Sequence, residues 1–290
     1  MQKQVIRVGG VPEHYNLPWT LAAERDIFSS ESIELVWTMY AGGTGAMTAA
    51  LERDELDVAI LLTEGFTAAA AQGLRSKIVK VSIDTPLIWG IDTGQDSTQH
   101  DVRFDHAPRI AISRHGSGSH IMPMIHAHRM GIQLEHNPWV VVNSLRGAVD
   151  SLTANASDYF YWERFMTRPH VLSGELRKLG EFAAPWSSFL IIATERALKE
   201  KGETILQLLK IMNEECIRFK QENSSVVQIA KRFDMSLPEA RTWIHDTQWN
   251  FDFSIRKQDL QEAIQALNAV GLLNDDFNVQ QLCADWMNVQ

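Results

Sequence analysis

Asp57-Val-Ala-Ile-Leu-Leu62 and Asp158-Tyr-Phe-Tyr-Trp162 are the two stretches that decide the fold. Each is an aspartate followed by a short apolar run, the length of an interior strand and too short for a buried helix. The same surroundings are written around both. Upstream lies a Gly-Ala pair that opens a helix, Gly45-Ala46 or Gly147-Ala148, preceded by a β-rich segment at 34–40 or 139–143. Further upstream come an amphipathic helix, a Gly- or Pro-marked loop and a first strand at 6–9 or 110–113. At the far end of the run stands an acidic residue, Glu64 or Glu163. The layout occupies residues 5–66 and again 109–165. Two tandem βαβαβ units predict an α/β protein of two lobes, with function expected in a cleft lined by strand ends and helix starts.

Composition narrows the class. At 290 residues, 45% hydrophobic and 22% charged, the chain suits a globular protein of about two domains. A net charge of −9 argues against nonspecific attraction to nucleic acid or to an anionic membrane. No apolar run reaches the ~20 residues of a membrane span. The N-terminus passes straight into a strand with no visible export signal, so a cytoplasmic location is expected, or a periplasmic one if a leader has been trimmed. Cys216 and Cys283 both fall on apolar faces of predicted helices, as buried thiols rather than a disulfide.

Beyond about residue 190 the pattern turns helical. Ile205, Leu208, Leu209, Met212, Cys216 and Phe219 form one stripe at three- and four-residue steps. Ser236-Leu-Pro-Glu239 reads as a capping box. Leu260, Ile264 and Leu267 mark another helix, and Val279, Leu282, Cys283 and Trp286 a last one. The polar stretch 92–105 reads as a linker between the copies, and residues 188–194 as a returning strand. Lobe 1 is therefore expected at 1–95 plus 186–290, lobe 2 at 96–185, with two hinge strands side by side.

This element order, with Gly-Gly-Thr-Gly-Ala at a helix start, Leu56-Asp-Val-Ala59, Arg109-Ile-Ala-Ile-Ser-Arg-His-Gly-Ser117 and Ala156-Ser-Asp-Tyr-Phe-Tyr-Trp-Glu163, resembles type 2 periplasmic-type solute-binding proteins. The nearest branch holds sulfonate-binding and thiamine-pyrimidine (NMT1/THI5-like) proteins. The resemblance covers nearly the whole chain and implies a two-lobed fold, each lobe a mixed sheet flanked by helices, that closes on a small polar solute. Binding of this kind requires no covalent chemistry. Exported members carry a signal peptide or lipoprotein cysteine, and the yeast-type pyrimidine synthases a cysteine-rich motif near iron; neither is visible here.

Candidate ligand residues sit in the loops where strands end. Gly42-Gly43-Thr44-Gly45 precedes a predicted helix at 46–53, where converging N–H groups suit a carboxylate, sulfonate or phosphate. It lacks the third glycine of a dinucleotide fingerprint. Arg114-His115-Gly116-Ser117-Gly118-Ser119 is its counterpart in the second copy and does not match a nucleophile elbow. Pro12, His14, Tyr15 and Asn16 follow the first strand. Thr63, Glu64 and Gly65 follow the third, and Trp162 and Glu163 end its counterpart. Trp186, near the return, is placed to cover a flat ligand. A ring on tryptophan with a carboxylate at its edge suits an aminopyrimidine-like heterocycle.

Five of ten histidines lie between His115 and His136, but their spacing of five, six and two lacks the helical step of a chelating pair, so no metal and no cofactor is expected. Residues 229–244 could be written as helix-turn-helix, yet they carry three basic residues in an acidic chain, so nucleic acid is not an expected partner. The leading expectation is a small-molecule binder. The alternatives are a cytosolic enzyme acting on a pyrimidine precursor and a sensor that docks on another protein, its partner unknown.

Overall fold

In a computed structural model, which describes residues 3–134, 136–273 and 278–290, strand and helix alternate as the pattern predicts. The first half runs β1 (Gln4–Gly10), α1 (Leu17–Glu24), β2 (Ile33–Met39), α2 (Gly43–Glu52), β3 (Val58–Leu62), α3 (Thr63–Ala71), β4 (Ser76–Ile83) and β5 (Ile88–Gly94). The second runs β6 (Ile110–Ile112), α4 (Gly118–Arg129), β7 (Trp139–Val141), α5 (Leu145–Thr153), β8 (Tyr159–Glu163), α6 (Arg164–Leu172), β9 (Leu176–Ala183) and β10 (Phe189–Thr194). Helices α7 (Glu195–Gln221), α8 (Asn223–Arg232), α9 (Leu237–Asp246) and α10 (Lys257–Ala269) follow. Among the described residues no helix is long and apolar enough to cross a membrane.

The duplication extends one strand pair further than the sequence pattern indicates. One sheet has the order β2-β1-β3-β10-β4 and the other β7-β6-β8-β5-β9. Adding five to each strand number of one half gives its counterpart in the other. The fifth strands are exchanged. β10 lies antiparallel between β3 and β4, and β5 lies antiparallel between β8 and β9. The strands that flank the two crossings lie side by side as expected: Phe189 pairs with Ile83 in one sheet, Ala183 pairs with Ile88 in the other, and the Ala184 N–H donates to the Leu87 carbonyl at 3.1 Å.

Two compact units result, one of Met1–Thr85, Ser187–Leu260 and Phe277–Gln290, the other of Pro86–Trp186 and Gln261–Asp276. The first crossing falls at Thr85/Pro86, ten residues before the expected boundary. The polar stretch that reads as a linker belongs wholly to the second unit. It is tied down there: Tyr159 Oη bonds the Arg103 N–H, Gln99 and the Asp101 carbonyl, and Arg177 donates to the Ser97 and Gln99 carbonyls. Polar composition marked solvent exposure, not a boundary. The second unit also takes the later turns of α10.

Each unit buries its own apolar faces. β3 (Val-Ala-Ile-Leu-Leu) is covered on both sides, as its uninterrupted apolar run requires. In the second unit Ala111, Ala148, Val149, Leu152, Phe160 and Leu176 form one cluster. The α7 stripe is buried, the capping box at Ser236 and Glu239 is formed, and α8 packs on α9. The last predicted helix is a single 3-10 turn, Val279–Leu282. Cys283 lies just beyond it, buried, as a free thiol like Cys216.

Candidate functional site

In the first unit β1, β2 and β3 run parallel, so the segments that follow them, Pro12–Asn16, Gly42–Gly45 and Thr63–Gly65, collect on one sheet edge. The turn after β1 is a 3-10 helix, and its pitch swings His14, Tyr15 and Asn16 inward. His14 is 0% exposed, its ring 4.7 Å from Trp243 and 5.6 Å from Phe233. Tyr15 packs 5.1 Å from Phe189, and the Asn16 amide donates to the Val11 carbonyl at 3.0 Å. These three hold the aromatic core of the unit. Pro12 is exposed and Glu13 half-buried beside them, and burial pushes the Glu13 carboxyl up to about 7.

Helix α2 begins at Gly43, three residues before the predicted start, so Thr44 and Gly45 lie in its first turn. Gly43 takes φ 65°, a left-handed conformation in which a side chain would be strained. Thr44 Oγ1 accepts the Leu62 N–H at 3.3 Å, which fastens α2 to the end of β3. A Cβ on Gly65 would stand 2.5 Å from Thr44 Cγ2, so the close approach of α2 and α3 needs glycine there. Glu64 is buried in the first turn of α3. Neither α1, α2 nor α3 has a side-chain cap from its N-cap residue.

In the second unit β6, β7 and β8 are likewise parallel. Here α5 is capped by Ser144 Oγ, which accepts the Gly147 N–H at 3.1 Å. Glu163 is the cap of α6, taking the N–H groups of Phe165 and Met166 at 2.9 and 3.0 Å. Its structural counterpart in the first unit is the N-cap Leu62, not Glu64, an offset of two residues from the sequence pairing. Only α4 of these three helices lacks a side-chain cap. Its N-cap Ser117 instead donates to the Arg114 carbonyl at 2.7 Å and meets Ser119 Oγ at 2.9 Å. Ser119 Oγ also accepts the Ser113 N–H at 2.9 Å.

His115 and Gly116 of this loop are exposed, and Gly118 opens the helix. Arg114 is part-buried; burial lowers its pKa, yet a guanidinium stays charged at neutral pH. His120 is buried, and burial followed by the neighbouring His115 lowers its pKa to about 4. Its Nδ1 accepts the Gly116 N–H at 3.1 Å, so the neutral ring carries its proton on Nε2.

The remaining histidines diverge. His126 bonds Tyr161 Oη at 2.8 Å, and His128 meets Gln133 at 3.1 Å. Among the described residues no group of three His, Cys, Asp or Glu is placed to hold a metal. Trp162 does not end in a loop. Its ring stacks on Phe160 at 5.1 Å within the apolar cluster. Trp186 is fully buried.

The sequence profile of the Ca3427-like PBP (periplasmic binding protein) family matches residues 89–182. No curated protein matches the sequence. Among solved structures, the Candida albicans CA3427 gene product, described as exhibiting the generic periplasmic binding protein fold, superposes with a TM-score of 0.88 at 23% identity, covering 99% of this chain and 98% of its own. The alkanesulfonate-binding protein SsuA from Xanthomonas axonopodis pv. citri bound to MOPS gives 0.80 at 14%, covering 98% and 99%. The SsuA aliphatic sulphonate binding protein of Escherichia coli gives 0.71 at 14%, covering 100% and 94%.

The chain has the type 2 periplasmic-binding-protein fold.

Within that fold the sequence located the edge loops but not the inward or outward sense of each side chain. It named His14, Tyr15 and Asn16 and passed over Glu13, the residue of that turn whose carboxyl has no role as a cap. It also passed over Ser113 and left His120 among a row of histidines. The available signal was the Ser-x-x-x-Ser-x-Ser spacing of 113, 117 and 119, which brings three hydroxyls around one helix start.

Proposed function

We propose that the chain binds a small organic acid, with the acidic group held at the N-terminus of α4 by the Gly116–Ser119 loop and Arg114. The supporting observation is the contrast inside the second unit. Helices α5 and α6 are closed by their own Ser144 and Glu163, whereas the N-cap Ser117 of α4 makes no side-chain cap bond, and Arg114 lies three residues before it in the chain. A helix N-terminus contributes about 0.3–1 kcal/mol to a nearby anion, rising to ~2 kcal/mol when part-buried. Charge-assisted bonds from arginine add to that. The sulfonate ligands of the structurally similar proteins are of this chemistry. Binding alone requires no covalent step, and mass analysis after incubation is expected to return the solute unchanged.

A second reading, a thiamine-pyrimidine-like heterocycle, is favoured by Glu13 and Glu64, two carboxyl groups at the strand edge of the first unit that would accept from an aminopyrimidine. Calorimetry against alkanesulfonates, small carboxylates and aminopyrimidines separates the two. The organic-acid reading expects sulfonates or carboxylates to bind, more weakly with added salt, and Arg114→Gln to lower affinity about tenfold. Aminopyrimidine binding that ignores Arg114→Gln and strengthens as pH rises through about 7, where Glu13 ionises, would replace it with the second reading.

A further inference from the structure

The chain leaves the first unit after Thr85, re-enters at Ser187 and leaves again within α10 after Leu260. On the first unit's side, polar groups of one C-terminal segment hold these points. The Asp84 N–H donates to the Gln248 carbonyl at 2.8 Å, and the Gln248 N–H returns a bond to Thr85 Oγ1 at 3.3 Å. The Asn250 amide reaches both Asp84 carboxylate oxygens at 3.2 Å, while its backbone N–H donates to the Ser82 carbonyl at 3.1 Å. Buried Lys80 secures the same segment through Asn250 and the Asp252 carbonyl. At the re-entry, buried Asp259 accepts both the N–H (3.0 Å) and the hydroxyl of Ser187, together with Arg256 at 2.9 Å. The Ser187 carbonyl in turn accepts the hydroxyl of Thr63, and the Thr63 N–H donates to the Ser188 carbonyl at 3.2 Å.

We infer that residues 248–259 are a brace on the chain crossings, with Asn250 and Asp259 as its positioning residues. Two features make this more than incidental bonding. Asp259 stands in the first turn of α10, one residue before that helix passes to the second unit, so its bonds to Ser187 fasten two crossings to each other. Thr63 opens α3 on the candidate solute edge, so the same network runs from that edge to the re-entry point. The brace sets how freely the crossing segments rearrange. By linkage, its strength contributes to the affinity of any solute that favours one arrangement. The affinity consequence rests on the proposed solute binding; the brace itself does not.

Hydrogen exchange of the full chain without solute tests it, comparing wild type with Asn250→Ala, Ser187→Ala and Asp259→Asn. Asn250→Ala is expected to speed exchange about tenfold in peptides covering 82–86, and the other two in peptides covering 186–190 and the first turn of α10, with α7 unchanged. Unchanged rates at the crossings would overturn the inference, and so would a uniform rise across the first unit, which signals general loss of stability. A second measurement, calorimetry with the sulfonate or carboxylate that binds wild type, is expected to show altered affinity in the brace variants, none of which belongs to the proposed solute contacts. Failure of every solute to bind would count against the binding proposal and leave the exchange result to judge the brace.

Discussion

Arg7 in β1 and Arg109 immediately before β6 reach forward to the aspartate that leads into the third strand of their own sheet. The Arg7 backbone N–H bonds Asp57 Oδ2 at 2.9 Å, its Nε the same oxygen at 3.1 Å, and its Nη2 Oδ1 at 2.8 Å. The matching distances from Arg109 to Asp158 are 2.7, 3.2 and 2.7 Å. Even the remaining guanidinium nitrogen repeats, donating to the carbonyl of Asp54 in one half and of Asn155 in the other. The surroundings differ. The Asp57 side chain is 0% exposed and gains Lys201 at 3.0 Å and Arg196 at 3.7 Å from α7; that of Asp158 is 16% exposed. Duplicated local sequence rebuilt the same clamp, and the longer-range chain decided how much rests on it.

That contrast is broken most directly by removing each carboxylate. Asp57→Ala removes a fully buried carboxylate from its part-exposed partners Arg7, Lys201 and Arg196 and is expected to cost about 3 kcal/mol, the lower end for a broken buried pair. Asp158→Ala, nearer water, should cost about 1.5–3 kcal/mol. Urea midpoints of the two variants check the order, and equal losses would show that burial is not what separates the clamps. Burial pushes both carboxyl groups up, but the arginine bonds, joined by Lys201 at Asp57, outweigh it, so both pKa values fall below the ordinary value of 3.8. Their stabilisation is thus complete above about 4 and lost as pH falls through the folded values.

A second contrast lies inside the second unit, between His120 and Asp92. Burial, then His115, lowers His120 from 6.5 to about 4, so its contribution to stability is lost as pH falls from about 6.5 to about 4. Burial raises Asp92 from 3.8 to about 6, outweighing a bond from Thr167, so its penalty is relieved as pH falls through about 6. Each amounts to roughly 3 kcal/mol and the two oppose each other. Asp92→Asn is therefore expected to raise stability at pH 7 and to expose a steeper loss on acidification. His120→Gln should reverse the slope, with stability rising from pH 6.5 to 4.5 relative to wild type. Chemical denaturation at both pH values reads this, and parallel pH profiles in all three proteins would rule it out.

The smallest effect sharpens the comparison of caps. Ser144→Ala removes the cap of α5 and should cost about 1 kcal/mol while leaving solute affinity unchanged. Ser117→Ala, at the uncapped α4, should lower affinity several-fold in calorimetry. If Ser144→Ala weakens the solute as much, the acidic group is not held at α4.

The sequence by itself determined the elements: the uninterrupted apolar runs of β3 and β8, the 3.6-residue stripe of α7, the aspartate lead-ins, and the capping box at Ser236. Those are local signals, because a strand or helix face is written in the residues that form it. It also gathered the edge loops, since parallel strands end together. Tertiary structure alone decided the sheet that β5 and β10 would join, because an apolar strand such as Ile88–Gly94 is compatible with any free apolar edge and its own residues do not name the partner. It likewise decided that His14 and Trp162 turn into the cores and that Glu163 closes a helix. The phase of one 3-10 turn and the exact end of one strand set those directions, and neither is fixed until the neighbouring elements pack.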